Sequence, residues 1–341
     1  MGRSVITAAV LLALLTGPAA AAKAPGRAES WARDEIRLVT SAGLMGGSSG
    51  SFRPDDPLTA DELAELLAAL TGKPAASSAN PAAPVTIARL DARLVHAVGL
   101  GPAAARFAAG ARSAGLAPPG RFGTEVVARL LGLRADHPPA EDVIEPAPSD
   151  VATRAEAAHS AAKILGWRGG EAQWVRALAA GFSPPAVSGW RRSILRTAVS
   201  LVGYPYVWGG TSERRQAPLG SEVPGGFDCS GLVWRVYKLA PYAAGTELPD
   251  LIQGRTTFEL SAEAAPAVRA GLARLDPADL LFFGPRGRRS EPAEIDHIGV
   301  YLGGGWFVQA SGQGVSLAPL EGWYRPRFAF ARRPLAEAGL A

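Results

Sequence analysis

The chain has 341 residues, one cysteine and a mildly basic balance of 35 Lys and Arg against 31 Asp and Glu. A single cysteine excludes an intramolecular disulfide framework, and the length suits about two domains with ordinary hydrophobic cores. The charges form no basic stripe interleaved with aromatics and no zinc-finger spacing, so nucleic acid gains no support as a partner, while an anionic surface remains compatible.

The chain opens with Arg3, an apolar run from Val5 to Leu15, then Gly17-Pro18 and alanines to Ala22. A charged start, a short apolar core and small residues at an Ala-x-Ala site predict a secretory signal peptide over 1–22. The run is well short of the ~20 residues a membrane span needs, and no later stretch is long and apolar enough. The expectation is an exported protein with no membrane span after cleavage.

Residues 27–166 are rich in alanine and leucine, with helical periodicity broken by Pro and Gly. They carry a weak internal repeat. Pro57-Leu58-Thr59 precedes Glu62-Leu63, Pro84-Val85-Thr86 precedes Arg89-Leu90, and Val151-Ala152-Thr153 precedes Glu156-Ala157. In the first and last copies Thr-x-x-Glu is a capping box, in which the threonine oxygen accepts an amide and the glutamate reaches back. Ser41-Ala-Gly-Leu44 recurs as Ser113-Ala-Gly-Leu116, each ending a helix on glycine. The unit is therefore helix, turn, capped helix, about three times over. It resembles the S-layer homology module, best over Trp31 to Leu70 with Ala42-Gly43-Leu44, Phe52-Arg53-Pro54-Asp55-Asp56-Pro57-Leu58-Thr59 and Glu62; the other copies lack the Phe-Arg-Pro-Asp-Asp run. The resemblance implies an all-α bundle that attaches a secreted protein to anionic secondary cell-wall polymers; a helical spacer without a ligand is the alternative. His96 and His159 fall in helical patterns and His137 precedes Pro138-Pro139, so these three are expected at surface or structural positions. Residues 167–190, with Gly169-Gly170 and Pro184-Pro185 around a short helical pattern, read as a linker.

From 191 to 335 the texture becomes α+β, with aromatics, glycine-rich turns and β-branched runs. Asp228-Cys229-Ser230-Gly231 holds the lone thiol at the mouth of a predicted helix whose Leu232, Val233, Val236 and Leu239 recur at helical spacing. The positive end of the helix dipole favours the thiolate there, and with it a nucleophile. The competing reading is a buried structural cysteine, which the flanking Asp, Ser and Gly disfavour. Downstream, Asp296-His297-Ile298-Gly299-Val300-Tyr301-Leu302, Gly303-Gly304-Gly305 and Trp306-Phe307-Val308-Gln309-Ala310 predict a β-hairpin. With a three-residue turn, Leu302 faces Trp306. Ile298, Val300 and Leu302 then share an apolar face with Trp306, Val308 and Ala310, and His297 and Gln309 share the other. A two-residue turn would flip that parity. Gln309 is placed to orient the imidazole; Asp296 and Glu321 are rivals, but Asp296 should point to the opposite face. No Cys/His cluster has metal-ligand spacing, and a thiol–imidazole pair needs no metal or other cofactor.

Several ordered motifs between about Ile194 and Arg333 are similar to the NlpC family of cell-wall cysteine endopeptidases. They are Gly203-Tyr-Pro-Tyr-Val-Trp-Gly-Gly210, Phe227-Asp-Cys-Ser-Gly-Leu-Val233, Arg255-Thr-Thr257, Leu275-Asp-Pro-Ala-Asp-Leu-Leu-Phe-Phe283 and Asp296-His-Ile-Gly-Val-Tyr301. The resemblance implies a papain-like α+β fold, helices packed on an antiparallel sheet. It makes Cys229 the nucleophile and His297 the base, with Gln309 at the third position, where histidine is commoner. It gives Tyr206, Asp228 and Ser230 to binding of the substrate and its free amino terminus, and the Cys229 amide to the oxyanion. Two loops, Thr211 to Gly226 and Arg286-Gly-Arg-Arg289, are candidates to rim the groove. The expected function is a secreted, wall-associated endopeptidase acting on peptidoglycan stem peptides, with the D-γ-glutamyl to diamino acid bond favoured. The alternatives are a wall-binding adhesin with a weak or latent peptidase domain, and another Cys-His amidase or acyltransferase.

Overall fold

In a computed structural model, which describes residues 30–46, 51–134 and 145–341, the three repeat starts meet in one backbone ring. Leu58 N–H donates to Ala152 O at 2.8 Å, Ala152 N–H to Val85 O at 2.8 Å, and Val85 N–H to Leu58 O at 2.9 Å. The ring satisfies these buried amides without a sheet, and all three side chains lie in the core. One residue further on, Thr59, Thr86 and Thr153 each accept an amide hydrogen bond and launch helices α2 (Ala60–Thr71), α3 (Ile87–Ala97) and α6 (Arg154–Leu165). The full capping box forms at Thr59 and Glu62. Helix α1 (Arg33–Ser41) packs on α6, which closes the N-terminal end of the bundle on its last repeat. The Arg154 guanidinium completes that closure: it donates to Phe52 O at 2.8 Å, lies 4.6 Å from the Phe52 ring and pairs with Glu62. The repeat is regular only at this hub. No helix lies between α2 and α3, whereas α4 (Gly101–Ser113) and α5 (Phe122–Leu130) both lie between α3 and α6.

The expected signal peptide over 1–22 and His137 lie outside the described residues. His159 is buried against Trp31, with ring centroids 5.8 Å apart. No helix among the described residues is long and apolar enough to cross a membrane.

The segment 167–190 carries helix α7 (Glu171–Gly181), which packs on α4. Beyond it, α8 (Gly189–Ser200) leads into the C-terminal half, where β1 (Thr211–Ser212) pairs with β2 (Gly226–Phe227) ahead of α9 (Cys229–Tyr237). After the short helices α10 (Leu248–Leu251) and α11 (Thr257–Glu263) come β3 (Leu280–Phe283), β4 (His297–Gly303), β5 (Trp306–Ser311), β6 (Gly314–Pro319), α12 (Tyr324–Arg327) and β7 (Phe328–Arg332). The five longer strands form one antiparallel sheet in the order β6-β5-β4-β3-β7. Period-two alternation gives the sheet two apolar faces. Ile298, Val300, Leu302, Trp306, Val308 and Ala310 join the main core, where α8 and α9 pack. Phe283, Tyr301, Phe307 and Phe328 form a second, smaller core on the other face. The C-terminal half is thus α+β, helices on an antiparallel sheet.

Residues Trp31–Ala341 form a single compact unit. Arg129, on α5 in the helical half, is 1 % exposed. It pairs with Glu145 at 2.8 Å and donates to Gln313 O, Gly203 O and Tyr204 O at 2.6, 2.7 and 3.4 Å. Phe182, Phe107 and Trp306 form an aromatic cluster with centroids 5.2 to 5.6 Å apart, both phenylalanines meeting the indole edge-on. The hairpin tip of the C-terminal half is therefore covered by the helical half and by the segment joining the two.

Candidate active site

Cys229 is the first residue of α9, and Asp228 is its N-cap. Asp228 Oδ1 accepts from Gly231 N–H at 2.6 Å, and Oδ2 accepts from Gly209 N–H at 2.8 Å. Arg255 closes on the same carboxylate with two contacts of 3.0 Å and donates to Ser230 Oγ at 2.7 Å. Both carboxylate oxygens are thus occupied, and the turn that presents the thiol is held from three sides. Gly231 is required sterically: a Cβ there would lie 1.8 Å from Gly210 O. That contact links the Gly-Gly of the first motif to the Cys-Ser-Gly of the second. Tyr206 is half-buried, bridged in parallel to Phe227, and so stands beside the Asp228 cap.

The hairpin reaches its expected register by an unexpected route. Gly299 faces Gln309, Val300 faces Val308 and Tyr301 faces Phe307, as the three-residue turn required. The turn itself holds only Gly304 and Gly305, and an irregularity between Tyr301 and Gly303 absorbs the extra residue. Parity is preserved, because the bulge undoes the flip that a shorter turn would cause. His297 and Gln309 consequently share a face. Asp296 turns away and pairs with Arg327.

The thiol lies beside the start of β4, the strand that His297 opens. The backbone amides of Ser230, Ile298 and Cys229 donate toward the Cys229 sulfur, and Ile298 is the chain neighbour of His297. Phe283 and Tyr324 flank the imidazole, with centroids 5.8 and 6.1 Å away. Gln309, 1 % exposed, gives its Nε2 to Ser316 Oγ at 2.8 Å and Ser311 Oγ at 3.2 Å. Its Oε1 and His297 Nε2 are both buried without a full hydrogen bond, yet Gln309 still favours the protonated imidazole. The amide oxygen is therefore near the ring but not in ideal alignment.

Burial dominates the electrostatics. Desolvation, followed by the Asp228 carboxylate, pushes the Cys229 thiol up to about 12, against the pull of the three amides. Desolvation brings His297 down to about 4, against the upward pull of Asp296 and Gln309. The thiolate expected from the helix dipole alone is outweighed, and the resting pair is neutral thiol and neutral imidazole.

The long loop is well tied down. Gln216 accepts from Thr211 N–H at 2.8 Å and donates to Gly226 O at 2.9 Å, while Glu213 grips Arg235 of α9 at 2.7 and 2.8 Å. In the second loop Arg286 pairs with Glu294. Arg255 is the site residue whose role the sequence left unread: it is 27 positions from Asp228, and no local pattern marks the contact.

Residues 203–333 match the model of the NlpC/P60 family, and residues 26–64 match that of the S-layer homology domain. The murein DD-endopeptidase MepH of Escherichia coli is 36% identical over 137 residues, covering 39% of this chain and 41% of that protein. The bifunctional muramidase/DL-endopeptidase CwlT of Bacillus subtilis is 30% identical over 135 residues, covering 39% of this chain and 32% of that protein. The solved peptidoglycan hydrolase RipB from Mycobacterium tuberculosis is 26% identical, covers 42% of this chain and 64% of that one, and has a TM-score of 0.32. The chain spans less than half the length of these two curated relatives.

Proposed function

We propose that this chain, which carries an NlpC/P60 domain behind an S-layer homology domain, is a secreted, wall-associated peptidoglycan endopeptidase. Cys229 is its nucleophile and His297 its general base. The observation that carries the reading is the sulfur of Cys229 receiving the amide of Ile298, beside His297, at the N-terminus of α9. Because the resting pair is neutral, His297 takes the thiol proton as sulfur attacks the carbonyl. The Cys229 amide stabilises the oxyanion. The imidazolium then protonates the leaving amine, and water activated by the same ring releases the acyl-enzyme. Gln309 orients the ring through its amide oxygen. Asp228 and Ser230, locked to Arg255, present the thiol, and they bound the substrate site together with Tyr206.

The favoured bond joins D-γ-glutamate to a diamino acid. The two curated relatives carry DD- and DL-endopeptidase names, so the identity of the bond is the sharpest part of the proposal. The helical repeats are the wall-binding part, through anionic secondary polymers. Digestion of purified peptidoglycan with mass spectrometry of the released muropeptides tests the reading. Products ending at D-γ-glutamate, absent with Cys229→Ala and with His297→Ala, are expected. Products cut between cross-linked peptides would reassign the bond, and intact peptidoglycan that retains the protein would favour a wall-binding role instead.

A further inference from the structure

Arg129 is buried on α5 in the helical half, yet most of what its guanidinium holds belongs to the C-terminal half. Nη1 donates to Gln313 O at 2.6 Å, and Nη2 donates to Gly203 O at 2.7 Å and Tyr204 O at 3.4 Å. Glu145, 2.8 Å from Nη1, balances the charge. Arg121, at the N-cap of the same helix, takes the carbonyls of Ser200 and Val202 at 2.8 and 3.3 Å. Two arginines of one short helix therefore grip the backbone around 200–204, and Arg129 alone also grips the turn between β5 and β6.

Each attachment of Arg129 leads to a residue of the site. Gln313 lies in the β5–β6 turn, and its N–H donates to Ser311 Oγ at 3.3 Å. Ser311 and Ser316, on the two strands which that turn joins, are the acceptors that hold the Gln309 amide. On the other arm, Tyr204 O accepts from Val315 N–H at 2.8 Å. The chain runs on through Pro205, whose carbonyl accepts from Phe227 N–H at 3.1 Å, to Tyr206 beside the Asp228 cap. A guanidinium is planar and rigid, so the spread of its two terminal nitrogens fixes the spacing between the arms. A misplacement of about 1 Å in a site can cost ~10²-fold in rate. Gln309 is sensitive to such a shift, because its oxygen already meets His297 short of full alignment.

Resting on the Cys229–His297 reading above, we propose that Arg129 is a positioning residue for the hydrolysis. It sets Gln309 against the imidazole through Ser311 and Ser316, and it sets Tyr206 beside the turn that presents the thiol. The helical half is then part of the scaffold for the chemistry as well as a separate binding module.

The test uses Arg129→Lys in the full chain, which keeps a charge beside Glu145 but replaces the fork with a single point that cannot serve both arms. On a stem-peptide substrate kcat should fall about tenfold, equivalent to about 1.4 kcal/mol. In a Gln309→Ala background the same substitution should cost kcat less than about twofold, because that arm then ends on nothing. KM should rise alike in both backgrounds, since the Tyr206 arm does not pass through Gln309. Hydrogen exchange gives a readout independent of activity. The Gln309 side-chain amide should exchange about tenfold faster in Arg129→Lys, while the Ala331 amide on the far edge strand, bonded to Ala270 O at 2.8 Å, keeps its protection. An unchanged kcat in the folded variant, an equal loss in both backgrounds, or exchange that rises alike at Gln309 and Ala331 would overturn the proposal. If Arg129→Lys does not fold, Arg129→Met with Glu145→Gln takes its place, since Arg134 then keeps its partner Asp91 at 3.0 Å. Failure of both to fold would make Arg129 purely structural and reject the positioning role. Should the wild type cleave no stem peptide, the activity reading fails by itself, and the exchange measurement still decides whether Arg129 holds Gln309.

Discussion

Cys229 sits where a helix dipole and three amides favour the thiolate, but burial and the Asp228 carboxylate act more strongly in the other direction. The same burial keeps His297 neutral down to about pH 4. The base is competent only when unprotonated, so kcat/KM should hold its plateau as pH falls through 6.5 and decline only near 4. A pH–rate profile with its acid limb at the ordinary imidazole value would contradict this. The cysteine, the histidine and the polar residue facing it were all legible in the sequence, because each sits in a short segment with strong local character. The protonation state was not, because it depends on how much water the surrounding core excludes.

At the scale of elements, the hairpin shows how a register can be right while its turn is different. The apolar alternation of β4 and β5 demands one parity, since a slip of β5 would move its three main-core side chains, Trp306, Val308 and Ala310, to the other face. The bulge near Gly303 accommodates whatever turn the tip requires. That tip is confined: Gly304 has φ +60°, and a Cβ there would lie 2.7 Å from Ser183 O. Gly304→Ala should therefore destabilise the protein by about 1–3 kcal/mol, through left-handed backbone strain and the clash. A urea denaturation curve indistinguishable from wild type would refute that account. The repeat hub is a second case. Thr59, Thr86 and Thr153 were readable as caps, but the ring of hydrogen bonds joining their preceding residues links positions 27 to 94 apart in the chain.

Across the whole molecule, the segment read as a linker proves to be packed structure. It supplies α7 and Phe182, and Arg129 from the helical half props the carbonyls of Gly203, Tyr204 and Gln313. A fragment beginning at Trp190 would expose Trp306 and lose those donors. It should be less stable and less active than the full chain; higher activity in the fragment would argue instead for a covering, inhibitory role of the helical half. The same interface buries Glu125, whose carboxyl is pushed up to about 8 by desolvation and then by Asp91, against Arg134, Arg129 and Arg121. Between the ordinary carboxylate value of 4.5 and about 8, the native state keeps a proton that the unfolded chain releases. Stability should therefore fall as pH rises through that window and level off above it. Melts of wild type and Glu125→Gln across the window should diverge, with the variant holding its Tm better at the alkaline end; parallel curves would exclude Glu125 as the source.

The sequence by itself determined the place of Cys229 at a helix mouth, the face that His297 shares with Gln309, the caps of the repeats and the α+β character of the C-terminal half. Those features follow from local spacing: a helix mouth, an alternating hairpin, a threonine three residues before the amide that donates to it. Tertiary structure alone decided that Arg255 clamps Asp228, that Arg129 reaches into the C-terminal half, and that burial outweighs the helix dipole at Cys229. Each of these depends on partner groups distant in sequence or on the exclusion of water by residues far apart in the chain, and no local pattern encodes either.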